Sequence, residues 1–293
     1  MARLQVLLAA LCFATTGTAQ ALGPGGTDPI GVGAVRILVG GALLVAVALT
    51  TARTRLRWAR GPVLAAVAGV ATYQLAFFAA VADTGVAVGT IVALGSAPTL
   101  AGLFEWLLTR RRPDPRWTVA TALACGGVAL LALSGGQASV SAPGIALAVV
   151  AGGSYAIYTL SAKRLLTDGH APVAVMAVAF GLGAVVLLPA LALTGPAWLL
   201  HADGIGLALF LGVIPTALAY ILFARGLRRL SASETATLTL AEPLTAGALG
   251  AIVLAEPLTA TAAVGAGLVL AGLLALAVRL PAPLVASPEQ ATA

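Results

Sequence analysis

Two ionisable side chains of opposite charge lie deep within apolar stretches of the sequence. Glu242 stands near the middle of the segment 232–253, directly before Pro243, and Arg36 lies inside the segment 30–50. In a membrane, an ionised side chain at mid-depth costs at least about 2.5–3.5 kcal/mol, so such residues usually serve a function. A carboxylate there could bind an ammonium group or carry protons, and a guanidinium could bind a carboxylate. A ligand that resembles an amino acid would need both.

Each of these residues also has an interpretation that needs no ligand. Glu242 could be a permanently protonated acid that bonds to a neighbouring helix, or it could pair with Arg36. Arg36 lies about two turns, roughly 10 Å, from the outer end of its segment. Its length would allow the guanidinium to reach the lipid headgroups. The sequence leaves these interpretations open.

Five uncharged polar side chains also fall at membrane depth. They are Tyr73, Gln74, Tyr155, Tyr158 and Tyr220, and they include all four tyrosines of the chain. Hydroxyl and amide groups need hydrogen-bond partners in lipid, so we expect these side chains to face the protein interior. They could line a substrate pocket with Glu242 and Arg36, or they could bond one helix to another.

The composition requires a membrane around most of the chain. Of its 293 residues, 60% are hydrophobic and 9% are charged, and the mean hydropathy is +1.04, whereas soluble proteins carry about 25% charged residues. Ten apolar segments are long enough to cross a bilayer as helices, and they lack the period-two alternation of membrane strands. They are 4–22, 30–50, 62–82, 86–108, 117–134, 143–161, 172–194, 204–224, 232–253 and 258–278. The sequence therefore predicts one all-α integral membrane domain of ten transmembrane helices.

The basic residues fall almost entirely on one side of this predicted domain. If the N-terminus is cytoplasmic, 15 of the 16 lysines and arginines precede the first helix or follow an even-numbered one, as the positive-inside rule requires. The exception is Arg36. This distribution predicts a multi-pass protein of the cell membrane with both termini in the cytoplasm. Residues 1–21 also resemble a cleavable signal peptide, but we expect an uncleaved first helix, because cleavage would spoil the internal symmetry.

The two halves of the sequence resemble each other. SAPTLAGLFEWLL, with Pro98, matches AEPLTAGALGAIVL, with Pro243, at an offset of 145, and Tyr73 matches Tyr220 at an offset of 147. Prolines within helices at equivalent places of two inverted halves indicate the substrate site of a transporter. We therefore predict two five-helix inverted repeats, 1–139 and 140–280, followed by a cytoplasmic tail, 281–293. Pro98, Pro243 and Pro215 are candidates for helix breaks or gates.

In these motifs the chain resembles the drug/metabolite transporter superfamily, and in particular its EamA-type branch, over essentially its whole length. The resemblance rests on APTLAGLFEWLLTRRRPDPRWTVATALACGGVALL in the first half and AEPLTAGALGAIVLAEPLTATAAVGAGLVLAGLLAL in the second. The turn RRRPDPR departs from the family's pattern, which has a glutamate there. The resemblance implies ten helices around a central pocket that opens to one side at a time. It also implies efflux of amino acids, other metabolites or toxic compounds.

Other classes of function find no support in the sequence. It contains no P-loop, dinucleotide fingerprint, GxSxG or HExxH motif, and His170 and His201 fall in loops on opposite sides. We therefore predict a secondary transporter, not an enzyme, that moves a small-molecule substrate through the lipid bilayer, with no cofactor, metal or nucleic acid. Protons are a candidate coupling ion. An importer, a bidirectional facilitator and an intramembrane lipid enzyme are the alternatives, and the oligomeric state is left open.

The remaining acidic residues are expected to stabilise structure. Ser231 and Glu234 fit a capping box at the start of the ninth segment. Glu105 lies about one turn from the cluster Arg110–Arg112, with which we expect it to pair. Asp83 and Glu256 fall at turns on the opposite side.

Overall fold

The regular secondary structure of this chain is helical. The computed structural model describes residues 1–51, 57–133, 141–255 and 259–277, and none of these residues forms a strand. We number ten helices in chain order: α1 Ala2–Leu22, α2 Pro29–Thr51, α3 Arg60–Gly85, α4 Val88–Thr109, α5 Pro115–Leu133, α6 Ala142–Thr167, α7 Pro172–Leu193, α8 Ala202–Leu227, α9 Ala232–Val253 and α10 Ala260–Ala277. Within the described ranges, the first nine are long and apolar enough to cross a membrane, and α10 is an apolar helix of slightly shorter span.

The prediction of an all-α membrane protein is confirmed. Each helix overlaps one predicted segment, and the largest difference is at the end of α6, which was expected at 161 and continues to Thr167. Lys163 and Arg164 explain this difference, because charged residues can extend a helix beyond the hydrocarbon core into the polar interface. The predicted tail, 281–293, and the acid Glu256 lie outside the described residues.

Large apolar side chains cover the outside of the helix bundle. Leu49, Leu193 and Ile252 are each more than four-fifths exposed. A soluble protein does not expose apolar surface on this scale, whereas lipid tails solvate it. The chain is therefore a multi-pass membrane protein.

One end of the bundle collects the starts of α1 and α9 and the ends of α4, α6 and α8, and we call it the arginine-rich end. Contacts between distant parts of the chain show that these helix ends meet. Arg3 at the start of α1 contacts Glu234 at the start of α9, and Lys163 near the end of α6 donates to the carbonyl of Leu227 at the end of α8. The exposed arginines of the α4–α5 and α8–α9 connections lie at this same end.

The helices pack in a reciprocal pattern. α2 packs against α7, and α5 packs against α10. α6 packs against the pair α3 and α4, and α1 packs in the same way against α8 and α9. Each of these contacts therefore has a counterpart when five is added to or subtracted from both helix numbers.

Gly85 turns the chain between α3 and α4. Its φ of +81° is reached at no steric cost only by glycine. A Cβ on Gly89 would lie 3.1 Å from the Val81 Cα, whereas residues eight apart in one continuous helix lie about 12 Å apart. The chain therefore reverses direction here within a very short turn.

Glycine also allows α5 and α10 to approach each other closely. A Cβ on Gly127 would lie 2.5 Å from the Gly265 carbonyl oxygen and 2.6 Å from the Val269 nitrogen. We expect Gly127→Ala to push the helices apart and to lower the free energy of unfolding by about 1–3 kcal/mol, the usual cost of overpacking. A lower melting temperature of the detergent-solubilised protein would check this.

Gly126 provides the matched control. A Cβ at this neighbouring position meets no atom within 4 Å, and alanine is the better helix former. Gly126→Ala should therefore melt at or above the temperature of the parent protein. Equal losses of stability in the two variants would contradict the packing explanation.

Candidate functional site

A small central cavity lies where α2, α3, α6, α7 and α8 meet. Its wall includes six of the seven side chains that the sequence analysis selected as ligands: Arg36, Tyr73, Gln74, Tyr155, Tyr158 and Tyr220. Ile37, Gly69, Val70 and Phe180 complete the wall. Polar residues of four different helices therefore meet around this one cavity.

Arg36 and Gln74 present hydrogen-bond donors at this cavity. Nη2 of Arg36 donates to Oε1 of Gln74 over 3.5 Å, which is a long bond. Within the described part of the chain, Nε of Arg36 and Nε2 of Gln74 are buried and have no hydrogen-bond partner, and Gln74 is only 2% exposed. A buried donor without a partner costs about 1–3 kcal/mol. These groups could therefore donate to a ligand that accepts hydrogen bonds, and a carboxylate would match both the acceptors and the charge.

Glu242 lies beside an interruption of α9. The helix is regular over Ala232–Leu238 and again over Ala241–Val253, so Glu242 is in the first turn of the second part. Its amide donates to the Thr239 carbonyl over 2.9 Å, which supplies the bond that Pro243 cannot make. The positive end of a helix favours a negative charge at this position.

The Glu242 side chain is half-buried and does not itself belong to the wall of the central cavity. Where the structure describes the chain, neither of its oxygens accepts a hydrogen bond or joins an ion pair. Its charge interacts with that of Arg36, and Tyr73, Tyr155 and Tyr220 are also within electrostatic reach of it. Nevertheless, no nitrogen of Arg36 lies within 4.0 Å of a Glu242 oxygen. A ligand that carries both charges could bridge this separation.

Aromatic rings form most of the remaining wall. The ring centroids of Phe180 and Tyr220 lie 4.0 Å apart, and those of Tyr73 and Tyr155 lie 6.0 Å apart. The Tyr155 hydroxyl shares a hydrogen bond with Oγ1 of Thr239 over 3.3 Å. This bond connects the cavity wall to the interruption of α9, next to Glu242.

Tyr158 combines two roles that the sequence analysis treated as alternatives. Its ring lines the cavity, and its hydroxyl donates to the sulfur of Met176 on α7 over 3.2 Å. A single tyrosine can therefore contribute to the cavity with its ring while it bonds one helix to another with its hydroxyl.

Pro215 lies in a stretch of α8 with wider, π-helical turns, Val213–Leu218. Within it, Oγ1 of Thr216 donates to the Leu211 carbonyl over 2.7 Å. The extra residue of a π turn rotates the side chains that follow it, and such turns are frequent at functional sites. Here the side chain that follows is Tyr220, which lines the cavity.

The prolines of α4 and α9 lie in different local structures. Pro98 is buried in α4, which stays helical around it. Pro243 is in the first turn after the interruption of α9. The interruption itself falls at Thr239 and Leu240, before the proline.

Sequence reasoning missed Phe180 and Gly33. Phenylalanine in an apolar segment usually faces lipid or core, and it carries no polar atom that would mark a cavity. Gly33 matters because a Cβ at this position would overlap with Nε2 of Gln74 and would lie 2.6 Å from a ring carbon of Phe78. Glycine at this position therefore leaves room for the Gln74 amide to pack against α2.

The prediction of one ion pair is wrong. Glu105 does not pair with Arg110–Arg112; its Oε2 accepts a hydrogen bond from the Ser233 amide over 3.1 Å. Exposed pairs are weak and compete with hydration, so the arginines that follow α4 stay in water.

The capping role of Ser231 is confirmed, because its Oγ accepts from the Glu234 amide over 3.0 Å. Among the described residues, no group of His, Cys, Asp and Glu could hold a metal ion.

Known proteins resemble this chain in sequence and in fold. The model of the EamA-like transporter family matches residues 1–133 and again 142–278. The chain is 42% identical over 272 residues to the uncharacterized transporter YwfM of Bacillus subtilis, which covers 92% of each chain. It is 35% identical over 166 residues to the threonine/homoserine exporter RhtA of Escherichia coli K12, covering 56% of this chain and 54% of RhtA. A protein of known crystal structure superposes with a TM-score of 0.82 at 20% identity, covering 94% of this chain and 98% of the other.

Proposed function

We propose a function for this chain from the premise that it belongs to the EamA-like transporter family. It is a secondary transporter that exports small amino acids or closely related zwitterionic metabolites from the cell by alternating access. The membrane is the cell membrane, and the arginine-rich end faces the cytoplasm together with both termini, as the positive-inside rule predicts.

The observation that carries this proposal is a pair of opposite charges close together, Arg36 in the wall of the central cavity and Glu242 within electrostatic reach of it. Arg36 and Gln74 supply buried donors without partners, and Glu242 supplies an acceptor without a partner among the described residues. A zwitterion would satisfy both, its carboxylate on Arg36 and Gln74 and its ammonium group on Glu242. Binding would offset the cost of holding ionised groups at membrane depth, which is at least about 2.5–3.5 kcal/mol for each.

The relatives support the same class of substrate. RhtA is named for the export of threonine and homoserine, two small polar amino acids. The cavity is small and its wall carries four tyrosines and the amide of Gln74, which suits a compact polar side chain better than a large apolar one. Binding of an amino acid here also requires no cofactor.

Alternating access is supported by signs of an internal duplication. The family model matches the chain twice, and the reciprocal packing of α1–α5 and α6–α10 is the pattern that two related halves would make. We propose that residues 1–139 and 140–280 are inverted repeats, whose exchange of conformations opens the cavity to one side and then to the other.

An export assay tests the function directly. Bacteria that express the chain or carry an empty vector are grown in the same medium, and the amino acids outside the cells are quantified. We expect one class of small polar amino acids to accumulate outside only with the chain, together with greater tolerance of inhibitory concentrations of that class. Identical external profiles and equal tolerance would contradict export. Net uptake of the labelled compound would instead support the importer.

A Gly33→Ala variant tests the arrangement of the site. The added methyl group would displace the Gln74 amide, so we expect the KM for the amino acid to rise about 10- to 150-fold, the value of one hydrogen bond to a charged carboxylate. The measurement is initial transport rate against substrate concentration in proteoliposomes. Gly17→Ala is the matched control on α1, since a Cβ there meets no atom within 4 Å. A normal KM for Gly33→Ala would contradict the role assigned to Gln74.

A further inference from the structure

A second cavity opens at the arginine-rich end, between the starts of α1, α5 and α9 and the end of α10. It is open to solvent on one side. Its wall holds two cations and two anions, Arg3, Arg116, Asp114 and Glu234, together with Trp117 and the hydroxyls of Ser231 and Ser233. Among the described residues, the wall is thus strongly polar and its charges balance. Such a surface accommodates a zwitterion better than an ion of one sign.

The first part of α9 extends from this cavity to the interruption at Thr239, which bonds to Tyr155 in the wall of the central cavity. It is only seven residues long, Ala232–Leu238. Glu234 faces the outer cavity at its start, and the interruption at Thr239, next to Glu242, lies at its end. The hydroxyl of Thr237, buried between them, accepts from Nε1 of Trp117 over 3.0 Å.

Contacts from two other helices hold the start of this segment in place. Nε of Arg3 pairs with Oε1 of Glu234 over 2.7 Å and so joins α1 to α9. Oε2 of Glu105 accepts from the Ser233 amide over 3.1 Å and joins α4 to α9. The Arg3 and Glu234 side chains are 34% and 20% exposed, and a pair that water reaches is weak. The contact can therefore hold the segment and still be exchanged for other partners.

We propose that the outer cavity is the cytoplasmic entrance of the transport path and that the Arg3–Glu234 ion pair is its gate. The two ends of a zwitterionic substrate can replace the partners of the pair, the carboxylate on Arg3 and the ammonium group on Glu234. The segment Ala232–Leu238 then turns at the interruption and admits the substrate to Arg36 and Glu242. This inference rests on the proposed function for the identity of the substrate, but the gate itself can be observed without transport.

Thiol labelling measures the gate. In a background with Cys12→Ala, Cys125→Ala and Thr239→Cys, the new thiol lies next to the central cavity and beyond the gate. Inside-out vesicles are treated with a membrane-impermeant maleimide, without substrate. We expect Arg3→Gln and Glu234→Gln each to raise the labelling rate about two- to fivefold, as the loss of a partly exposed ion pair predicts. The exchanged pair, Arg3→Glu with Glu234→Arg, should return the rate to that of the background.

Arg164→Gln is the matched control. Arg164 pairs with Asp168 over 3.3 Å on the surface of α6, so this variant also removes one ion pair at the same end of the molecule. Its labelling rate should not change. Unchanged rates in both single gate variants, or an equal increase in Arg164→Gln, would overturn the proposal, as would an exchanged pair that labels as fast as the single variants. Each variant is first checked for a monodisperse size-exclusion profile.

Discussion

A Glu242→Gln variant is expected to fold normally and to lose both net export and substrate exchange, each by about 10- to 150-fold, the worth of a hydrogen bond to a charged group. Glutamine keeps the size of the side chain but removes its negative charge. Among the described residues the Glu242 carboxylate has no hydrogen-bond or ion-pair partner, so the substitution breaks no bond of the folded chain. Flux of a radiolabelled amino acid into proteoliposomes measures net transport, and counterflow measures exchange.

The comparison of the two fluxes separates a ligand from a proton carrier. A residue that only carries protons would leave exchange intact when it is neutralised, because exchange needs no net proton movement. Normal exchange in Glu242→Gln would therefore contradict the ammonium ligand and favour proton coupling. Asp203→Asn is the control: Asp203 is an exposed acid in the first turn of α8, and we expect both fluxes to remain normal.

The helices of this protein could be predicted because lipid leaves the chain few alternatives. A backbone in hydrocarbon must satisfy its own hydrogen bonds, so each apolar segment had to be a helix, and charge clusters limited where each could end. The end of α6 at Thr167 lay beyond the prediction, because lysine and arginine can continue a helix after the apolar segment has ended.

Most side chains around the central cavity could be found from the sequence because polar groups are rare at membrane depth. Arg36, Gln74 and the tyrosines stand out in an apolar segment, and the cost of leaving them in lipid predicts that they face inward. Phe180 and Gly33 could not be found in this way. Nothing in their chemistry distinguishes them from the many other apolar or small residues of membrane helices.

Interactions that depend on tertiary structure could not be predicted from the sequence. Pro243 requires some adjustment of α9, but the preceding turn can absorb it in several ways, and the position of the interruption depends on contacts such as that of Thr239 with Tyr155. Glu105 shows the same limit. Its neighbours along the chain are arginines, whereas its partner is the Ser233 amide, 128 residues away.

Arg36→Gln is expected to change what the protein recognises as well as how tightly it binds. The parent protein should prefer an amino acid to its methyl ester by about 10- to 150-fold, because the ester lacks the charge that Arg36 and Gln74 are placed to bind. In Arg36→Gln this preference should fall to near unity, since a neutral amide gains little from a carboxylate over an ester. Inhibition of labelled amino acid transport by the acid and by its ester, in proteoliposomes, gives the two affinities.

The preference ratio identifies the role of Arg36 more directly than the loss of activity does. A variant that merely distorts the cavity would weaken the acid and the ester alike and leave their ratio unchanged, which would contradict the proposed contact. Arg36→Lys should give an intermediate ratio, because lysine keeps the charge but not the planar fork of donors. Arg225→Gln, which removes an exposed arginine near the end of α8, should keep the parent ratio. If the parent protein itself binds acid and ester equally, the carboxylate lies elsewhere and the assignment of the two charges to one zwitterion is wrong.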